Sequence, residues 1–336
     1  MFDIRALKQY DKEGMHQVYD KWPQIAAEYS EKKYDPVDFN EINHVVYVGM
    51  GGSGAIGDAL SSILSKSKIH TCVVKGYHLP VTTDSSTLVI ATSASGNTLE
   101  TLTVIANAKK IGAKIVAFSS GGKMERYCKN NRIEFRKVPI INSPRASYPQ
   151  YLYSILNVLE QTIHVKKRQI RQSIKRLEDT QKQICFANTK DNPSVELAEW
   201  ICDIPIIYYP AGLSAVAIRF KNSLQENAKM HAIAEDVIEA CHNGIVAWEK
   251  PSRVKPILLR GKNDYIKTKN LWKILNEYFD KNKIEYKELY SVDGEILTKI
   301  VNFVYMLDYT SIYKAVMLKT DPTPVKSIDF VKSKIR

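Results

Sequence analysis

Short apolar runs along this chain alternate with longer stretches in which apolar residues recur every three or four positions. His44–Val48 is one such run, and Ala55, Ile56, Ala59, Leu60, Ile63 and Leu64 follow it at helical spacing. Ile69–Val74, Thr87–Thr92 and Lys114–Phe118 repeat the run, each short enough for a strand, and Ile133–Val138 is a fifth candidate. Helical patterns lead away from Thr98 through Lys110 and from Gly122 to about Asn130. Short, mostly apolar strands separated by amphipathic helices predict a parallel sheet covered on both faces.

Helical spacing then dominates from about 147 to 201. Ile204–Tyr209 restarts the alternation. Lys255–Leu259 and Glu285–Tyr290 are further strands, with helices expected over about 213–229, 266–282 and 294–316. Upstream, Leu7, Tyr10, Met15, Val18, Trp22, Ile25 and Ala26 form the apolar stripe of a helix or helix pair over 5–31. Pro322 and Pro324 end the last long helix, because proline cannot continue one, and a short segment, Ile328–Lys332, follows. The pattern predicts two doubly wound α/β units. They span 41–150 and 204–318, with a helical segment at 1–40, a helical connection at 151–203 and a tail at 319–336.

Bulk properties narrow the class. The 336 residues suffice for two α/β domains or one large one. No apolar run reaches bilayer-spanning length, so no membrane association is expected. The opening MFDIRALKQYDKEG has no apolar signal core, which predicts a cytoplasmic protein. Five scattered cysteines without a CxxC pair argue against a disulfide framework and a structural zinc site. The net charge of +12 raises the question of an anionic partner. Its densest run, Lys166–Arg176, alternates with Ile170, Ile174 and Leu177 as a solvated helix face does. No aromatic platform accompanies it, so no nucleic-acid partner is expected.

Two loops carry the chemistry. Gly49-Met50-Gly51-Gly52-Ser53-Gly54 joins a strand to a helix, a turn that presents backbone N–H groups to an anion. Its Gly49-x-Gly51-x-x-Gly54 spacing also matches a dinucleotide fingerprint. That reading wants an acid at the end of the second strand for the ribose, and Val73-Val74-Lys75-Gly76 offers none. Ser93-Ala94-Ser95-Gly96-Asn97-Thr98 leaves the next strand in the same manner. Three hydroxyls at a helix start suit a monophosphate better than a pyrophosphate; a Ser/Thr-rich helix cap is the competing reading.

GMGGSGAIGD, SASGNTLET and Gly121-Gly122 together resemble the sugar isomerase (SIS) domain family. Ser143-Pro-Arg145-Ala-Ser147, Gln225-Glu226-Asn227-Ala-Lys229, Cys241-His242-Asn243 with Trp248-Glu249, and Asp321-Pro-Thr-Pro-Val with Ile328 and Lys332 are more specific. From about residue 40 to the end the chain resembles the bifunctional phosphoglucose/phosphomannose isomerases, which carry two SIS subdomains of flavodoxin-like, doubly wound topology. The resemblance implies a hexose 6-phosphate substrate whose phosphate rests on Gly52, Ser53, Ser93, Ser95 and Thr98. It makes Glu226 the base that moves a proton between C1 and C2 through a cis-enediol. It makes His242 the ring-opening residue, donated by the neighbouring subunit of a homodimer. Lys332, in a tail that contributes to the active site, would assist at the ring oxygen, and Arg145 would stabilise the enediolate. Thr320 or Thr323 would make room for either configuration at C2.

The residue types suit that chemistry. One carboxylate can take and return the same proton. Arginine keeps its charge beside a developing oxyanion, and histidine moves protons near neutral pH. No cofactor and no metal are expected, since no step requires one. Read without the resemblance, Glu226 also fits a solvated helix residue, His242 a helix cap and Lys332 a frayed basic tail. His231 is a rival histidine. Met230-His231-Ala232 and Gly244 depart from the family, which usually has a Pro-Ala pair at the first place and often an acid at the second. A sugar-phosphate-binding SIS module without catalysis, and a dinucleotide-dependent oxidoreductase, are the alternative functions.

Overall fold

The computed structural model of the chain describes residues 4–37, 39, 42–188 and 191–335. The elements begin with α1 (Ile4–Tyr10), α2 (Met15–Asp20), α3 (Trp22–Glu31), β1 (His44–Val48), α4 (Gly52–Leu64) and β2 (His70–Val74). There follow β3 (Thr87–Ser93), α5 (Leu99–Ile111), β4 (Lys114–Ser119), α6 (Gly122–Asn130) and β5 (Glu134–Lys137). Then come α7 (Tyr148–Val158), α8 (Glu160–Ile163), α9 (Lys167–Ile184), α10 (Pro193–Trp200), β6 (Ile204–Tyr209) and α11 (Ser214–Asn227). The last are β7 (Ile233–Asp236), α12 (Val237–Ala240), β8 (Val254–Arg260), α13 (Ile266–Lys281), β9 (Lys287–Tyr290), α14 (Ile296–Met317) and α15 (Lys326–Lys334). Short 3₁₀ segments span Ala211–Leu213 and Gly244–Glu249.

The chain forms two compact units. One comprises 21–177 with 294–301; the other comprises 1–20, 178–293 and 302–336. In the first, five parallel strands run in the order β2-β1-β3-β4-β5. β1 and β3 are buried along their whole length and β4 nearly so, which is why these runs show no polar alternation. Val46, Val89 and Ala117 of these strands pack against Val104 and Ile105 of α5 and Met124 of α6. Each such fully buried Val, Ile or Met contributes about 1.5–3 kcal/mol. α3 packs on the start of α7, with Trp22 stacked on Tyr148 at 5.9 Å. The Trp22 indole N–H donates to the Ala146 carbonyl at 2.9 Å.

Register fixes what the first sheet presents at its carboxyl edge. Val48 lies opposite Ala91, and Ser93 opposite Ser119, so the turns leaving β1, β3 and β4 emerge side by side. Strand order reverses between β1 and β3, the switch point where open α/β sheets bind ligands.

The second unit holds four parallel strands in the order β7-β6-β8-β9. Most strands and helices expected from the apolar pattern form within a few residues of the expected bounds. The pattern does not anticipate β7. Its four residues include one large apolar side chain, Ile233, and that one faces solvent. Main-chain pairing from Ile206–Ile233 to Tyr209–Asp236 makes it a strand. The expected N-terminal helix or helix pair is three helices. Asp11 separates the first two, its carboxylate accepting the amides of Met15 and His16 at 2.9 and 2.8 Å. Pro23 opens the third. No helix among the described residues is long and apolar enough to cross a membrane.

Candidate active site

The carboxyl edge of the first sheet is built mainly from main chain. α4 begins at Gly52 and α5 at Leu99, and neither has a side-chain cap. A Ser/Thr-rich cap would have Thr98 bond into the first turn of α5. Its hydroxyl lies instead 2.9 Å from that of Ser93, so the first-turn amides of α5 stay uncapped. An uncapped helix start favours an anion. α4 and α6 differ: the amides of Ser53 and Gly54 donate to the Met50 carbonyl at 3.1 and 3.3 Å, and in α6 the amides of Lys123 and Met124 donate to Asn97 Oδ1 at 3.0 Å and to the Gly96 carbonyl at 2.8 Å. That helix start is already occupied by the neighbouring turn.

Close approach sets the spacing of these turns. A Cβ on Gly96 would lie 1.8 Å from the Gly121 carbonyl oxygen, and Gly96 has φ +68°. The turn after β3 is thereby pressed against the turn after β4. On the other side the amide of Ala94 donates to Ser53 Oγ at 3.3 Å, tying the turn after β3 to the first turn of α4. Ser53 and Ser93 are buried, Thr98 is half-buried and Ser95 is exposed. The sequence-predicted phosphate residues thus occupy neighbouring turns, and Ser93 is the most deeply buried of them.

Arg145 belongs to the same edge. A Cβ on Gly52 would come within 3.3 Å of the Arg145 backbone nitrogen, so glycine there lets the 143–147 loop lie against α4. The loop is shaped by Ser147, whose hydroxyl donates to the Ser143 carbonyl at 2.9 Å and accepts the Ile141 amide at 2.8 Å. Arg145 is buried. The lysine at the end of the second strand is engaged as well: Lys75 Nζ lies 2.5 Å from Asp58 Oδ2 on α4.

In the second unit, Glu226 occupies the last turn of α11 and is half-buried. A buried polar network holds this helix against α14. Arg219 Nη2 and Nε donate to Asp308 Oδ2 at 2.5 and 3.1 Å. Ser223 donates to Asp308 Oδ1 at 2.7 Å, and the Tyr19 hydroxyl donates to Oδ2 at 3.0 Å. Asn227 donates to the Ser311 hydroxyl at 2.8 Å. Residues 219, 223 and 227 recur at four-residue spacing on one helix face, which leaves Glu226 on the neighbouring face. Lys229, with φ +56°, turns back past the helix end. Its ammonium donates to the Glu226 carbonyl at 2.6 Å and to the carbonyls of Asp321 and Pro322 at 3.2 and 3.3 Å. The tail turn is thus tied to the end of α11.

His242 sits in the turn after α12 and is exposed; its ring bonds to no described residue of its own chain. Lys332 is exposed on α15, and His231 is exposed after α11. Thr323 donates its amide to Asp321 Oδ1 at 3.0 Å, and the Thr320 hydroxyl donates to the Leu318 carbonyl at 3.1 Å. Sequence reasoning missed the roles of Lys229, Arg219 and Asp308. Asp308 left a signal: it is the one acid in the 22 residues of α14, and a lone acid in an apolar helix needs a buried partner.

Residues 38–156 match the SIS domain family. Residues 190–335 match the bacterial phospho-glucose isomerase C-terminal SIS domain. Fold and turns together define a protein with two SIS domains. A bifunctional phosphoglucose/phosphomannose isomerase of Caldicellulosiruptor bescii is 32% identical over 335 residues, covering 95% of this chain and 97% of that one. Another, from Aquifex aeolicus, is 28% identical, covering 89% and 92%. The crystal structure of a hypothetical protein from Thermus thermophilus shares the fold, with TM-score 0.74, 13% identity and coverage of 98% and 91%. This chain belongs to the bifunctional phosphoglucose/phosphomannose isomerase family and is an isomerase.

Proposed function

We propose that the protein interconverts glucose 6-phosphate and mannose 6-phosphate with fructose 6-phosphate, by proton transfer through a cis-enediol and without a metal. The observation that carries this is the uncapped start of α5, lying beside the glycine-rich start of α4 at the switch point of the first sheet. Gly52, Ser53, Ser95 and Thr98 receive the phosphate, with Ser93 holding the Thr98 hydroxyl in place. A monophosphate fits a nest of this kind, whereas a dinucleotide lacks its ribose acid and finds Lys75 already paired.

Glu226 takes the proton from C2 and returns it to C1, and the reverse in the other direction. Arg145 stabilises the negative charge that develops on O1 and O2. His242, supplied by a second copy in a homodimer, moves the proton from O1 to O5 that opens the ring, and Lys332 assists at the ring oxygen. The exposed His242 ring, without a bond to any described residue of its own chain, supports donation to a neighbour. Thr320 or Thr323 leaves room for both C2 epimers. The isomerase relatives, enzymes of sugar-phosphate metabolism, support a cytoplasmic setting.

The test is turnover of both aldose phosphates in the presence of EDTA. Activity on both is expected; loss with chelator sinks the metal-free mechanism, and activity on glucose 6-phosphate alone removes the second substrate. Glu226→Gln should lower kcat by about 10²–10⁴-fold while phosphosugar binding persists. Turnover that survives this change would overturn the role of Glu226.

A further inference from the structure

The amino edge of the first sheet carries two histidines that the reaction does not use. His44 opens β1 and His70 opens β2, and the two are direct partners in the parallel register. Their ring centroids lie 5.0 Å apart, with the planes tilted by 44°. His44 is 7% exposed, whereas His70 stands open to solvent. No hydrogen bond joins the two rings, and the His70 ring has no hydrogen-bond partner among the described residues.

Hydrogen bonds from the start of β3 fix the His44 ring. Asp84 Oδ1 accepts the Ser86 amide and hydroxyl at 2.9 and 2.7 Å and the Thr87 hydroxyl at 3.1 Å. A carboxylate only accepts, so the Thr87 hydrogen goes to Asp84. The Thr87 oxygen then accepts from His44 Nδ1 at 3.3 Å. The proton of the neutral ring therefore sits on Nδ1, and Nε2 carries a bare lone pair. β1 lies between β2 and β3. A ring whose Nδ1 faces Thr87 on β3 turns its opposite edge, which holds Nε2, toward His70 on β2. Nε2 is buried and has no hydrogen-bond partner among the described residues. Burial, and then the charge of His70, lower the proton affinity of His44 against the pull of Asp84 and the Thr82 carbonyl, which keeps the lone pair bare. That carbonyl is itself an acceptor and cannot satisfy it.

We propose that His44 Nε2 and the His70 ring hold one divalent transition-metal ion, of the class of Zn²⁺ or Cu²⁺, across the starts of β1 and β2. Two imidazoles bound at about 2.0–2.1 Å to a tetrahedral ion place their centroids about 5 Å apart, the spacing these rings already have. Imidazole suits such ions, whereas Mg²⁺ and Ca²⁺ take oxygen ligands. The hydroxyl and carboxylate behind Nδ1 orient the ring as the outer partners of metal-bound histidines do. No cluster of three or more His, Cys, Asp or Glu able to hold a metal occurs among the described residues. Water therefore completes the shell, and the ion exchanges through the exposed His70 side. The glycine-rich turn leaves β1 five residues further on, about 16 Å along the strand. The ion thus ties β1 to β2 at the end away from the phosphate edge and takes no part in turnover.

The experiment is calorimetric titration of the metal-stripped full chain with zinc chloride at about pH 7.5, where free histidine is neutral. His70→Ala is titrated beside it; the position is exposed, so the fold should survive. Wild type should take up one equivalent, at least about tenfold more tightly than His70→Ala, and magnesium chloride should not compete. Bound Cu²⁺ should show two imidazole nitrogens by electron paramagnetic resonance in the wild type and fewer in His70→Ala. No uptake by the wild type, or equal affinity in the variant, overturns the site. Two nitrogens in the His70→Ala spectrum also overturn it, because the ion then sits on other histidines. Competition by magnesium overturns the class of ion.

Discussion

The carboxyl edge of the first sheet and the last turn of α11 are held in place by different means. At the sheet edge most positioning groups are main chain, helped by short polar side chains: amides of α6 bonded to Asn97 Oδ1 and the Gly96 carbonyl of the turn after β3, and Gly96 pressed against the Gly121 carbonyl. On α11 they are side chains, with Arg219 and Ser223 gripping the buried Asp308. A main-chain assembly depends on the absence of atoms, so it resists most side-chain changes nearby and fails when a single Cβ is added. A buried charge network depends on balance, so it fails when one member is removed and another is left uncompensated.

Removing the centre of the network should have the largest effect. Asp308→Ala leaves Arg219 charged and buried, and should cost about 3–5 kcal/mol in urea unfolding. Turnover should fall with it, as α11 loses its hold on α14. An effect under about 1 kcal/mol would mean that the helix is held by apolar packing alone. Gly96→Ala should come next. A side chain in the left-handed region costs about 1–3 kcal/mol, and the clash with Gly121 adds to it. The sharper readout is KM for hexose phosphate, which should rise at least tenfold; an unchanged KM would sever the sheet edge from phosphate binding.

Lys229→Met should have a smaller effect. It removes three hydrogen bonds from a solvent-exposed ammonium, worth about 1 kcal/mol after screening. The expected signature is easier proteolysis of the tail beyond Asp321, with the rest of the fold unaffected. The smallest effect belongs to the opposite edge of the first sheet. Burial of His44, and then the charge of His70 with rings 5.0 Å apart, lower its pKa below 6.5 against the pull of Asp84 and the Thr82 carbonyl. Above pH 6.5 both folded and unfolded forms are neutral and this contribution is complete. As pH falls below 6.5 the unfolded chain binds a proton that the folded form resists, so stability declines. His44→Gln should flatten that part of the profile between about pH 7 and pH 5 and leave KM unchanged.

The same contrast explains what could be read in the sequence. GMGGSG and SASGNT are local: strand, turn and helix start are contiguous, so glycine and hydroxyl positions predict two tight strand–turn–helix units by themselves. Even the competing cap reading could be stated there, though only the Ser93–Thr98 contact decides against it. The setting of Glu226 is not local. Arg219 and Asp308 are 89 residues apart, and nothing near Arg219 names its partner. The helix carrying Glu226 was legible from its spacing, while the reason for its placement lay in α14. β7 escaped notice because pairing with β6, not its own side chains, makes it a strand.

The reach of Asp308 also governs the order in which the chain can be completed. Its carboxylate takes a hydrogen bond from Tyr19, 289 residues earlier. At about 5–20 residues per second, Tyr19 is synthesised roughly 15–60 s before the group it serves. Met15 and Tyr19, both fully buried in the finished fold, spend that interval without their final neighbours. α3 meets α7 much sooner, once residue 158 has emerged. Helices α1 and α2, the first described elements to be made, are therefore among the last to be seated, and a chaperone that shields apolar nascent chains would find them its longest-lived target.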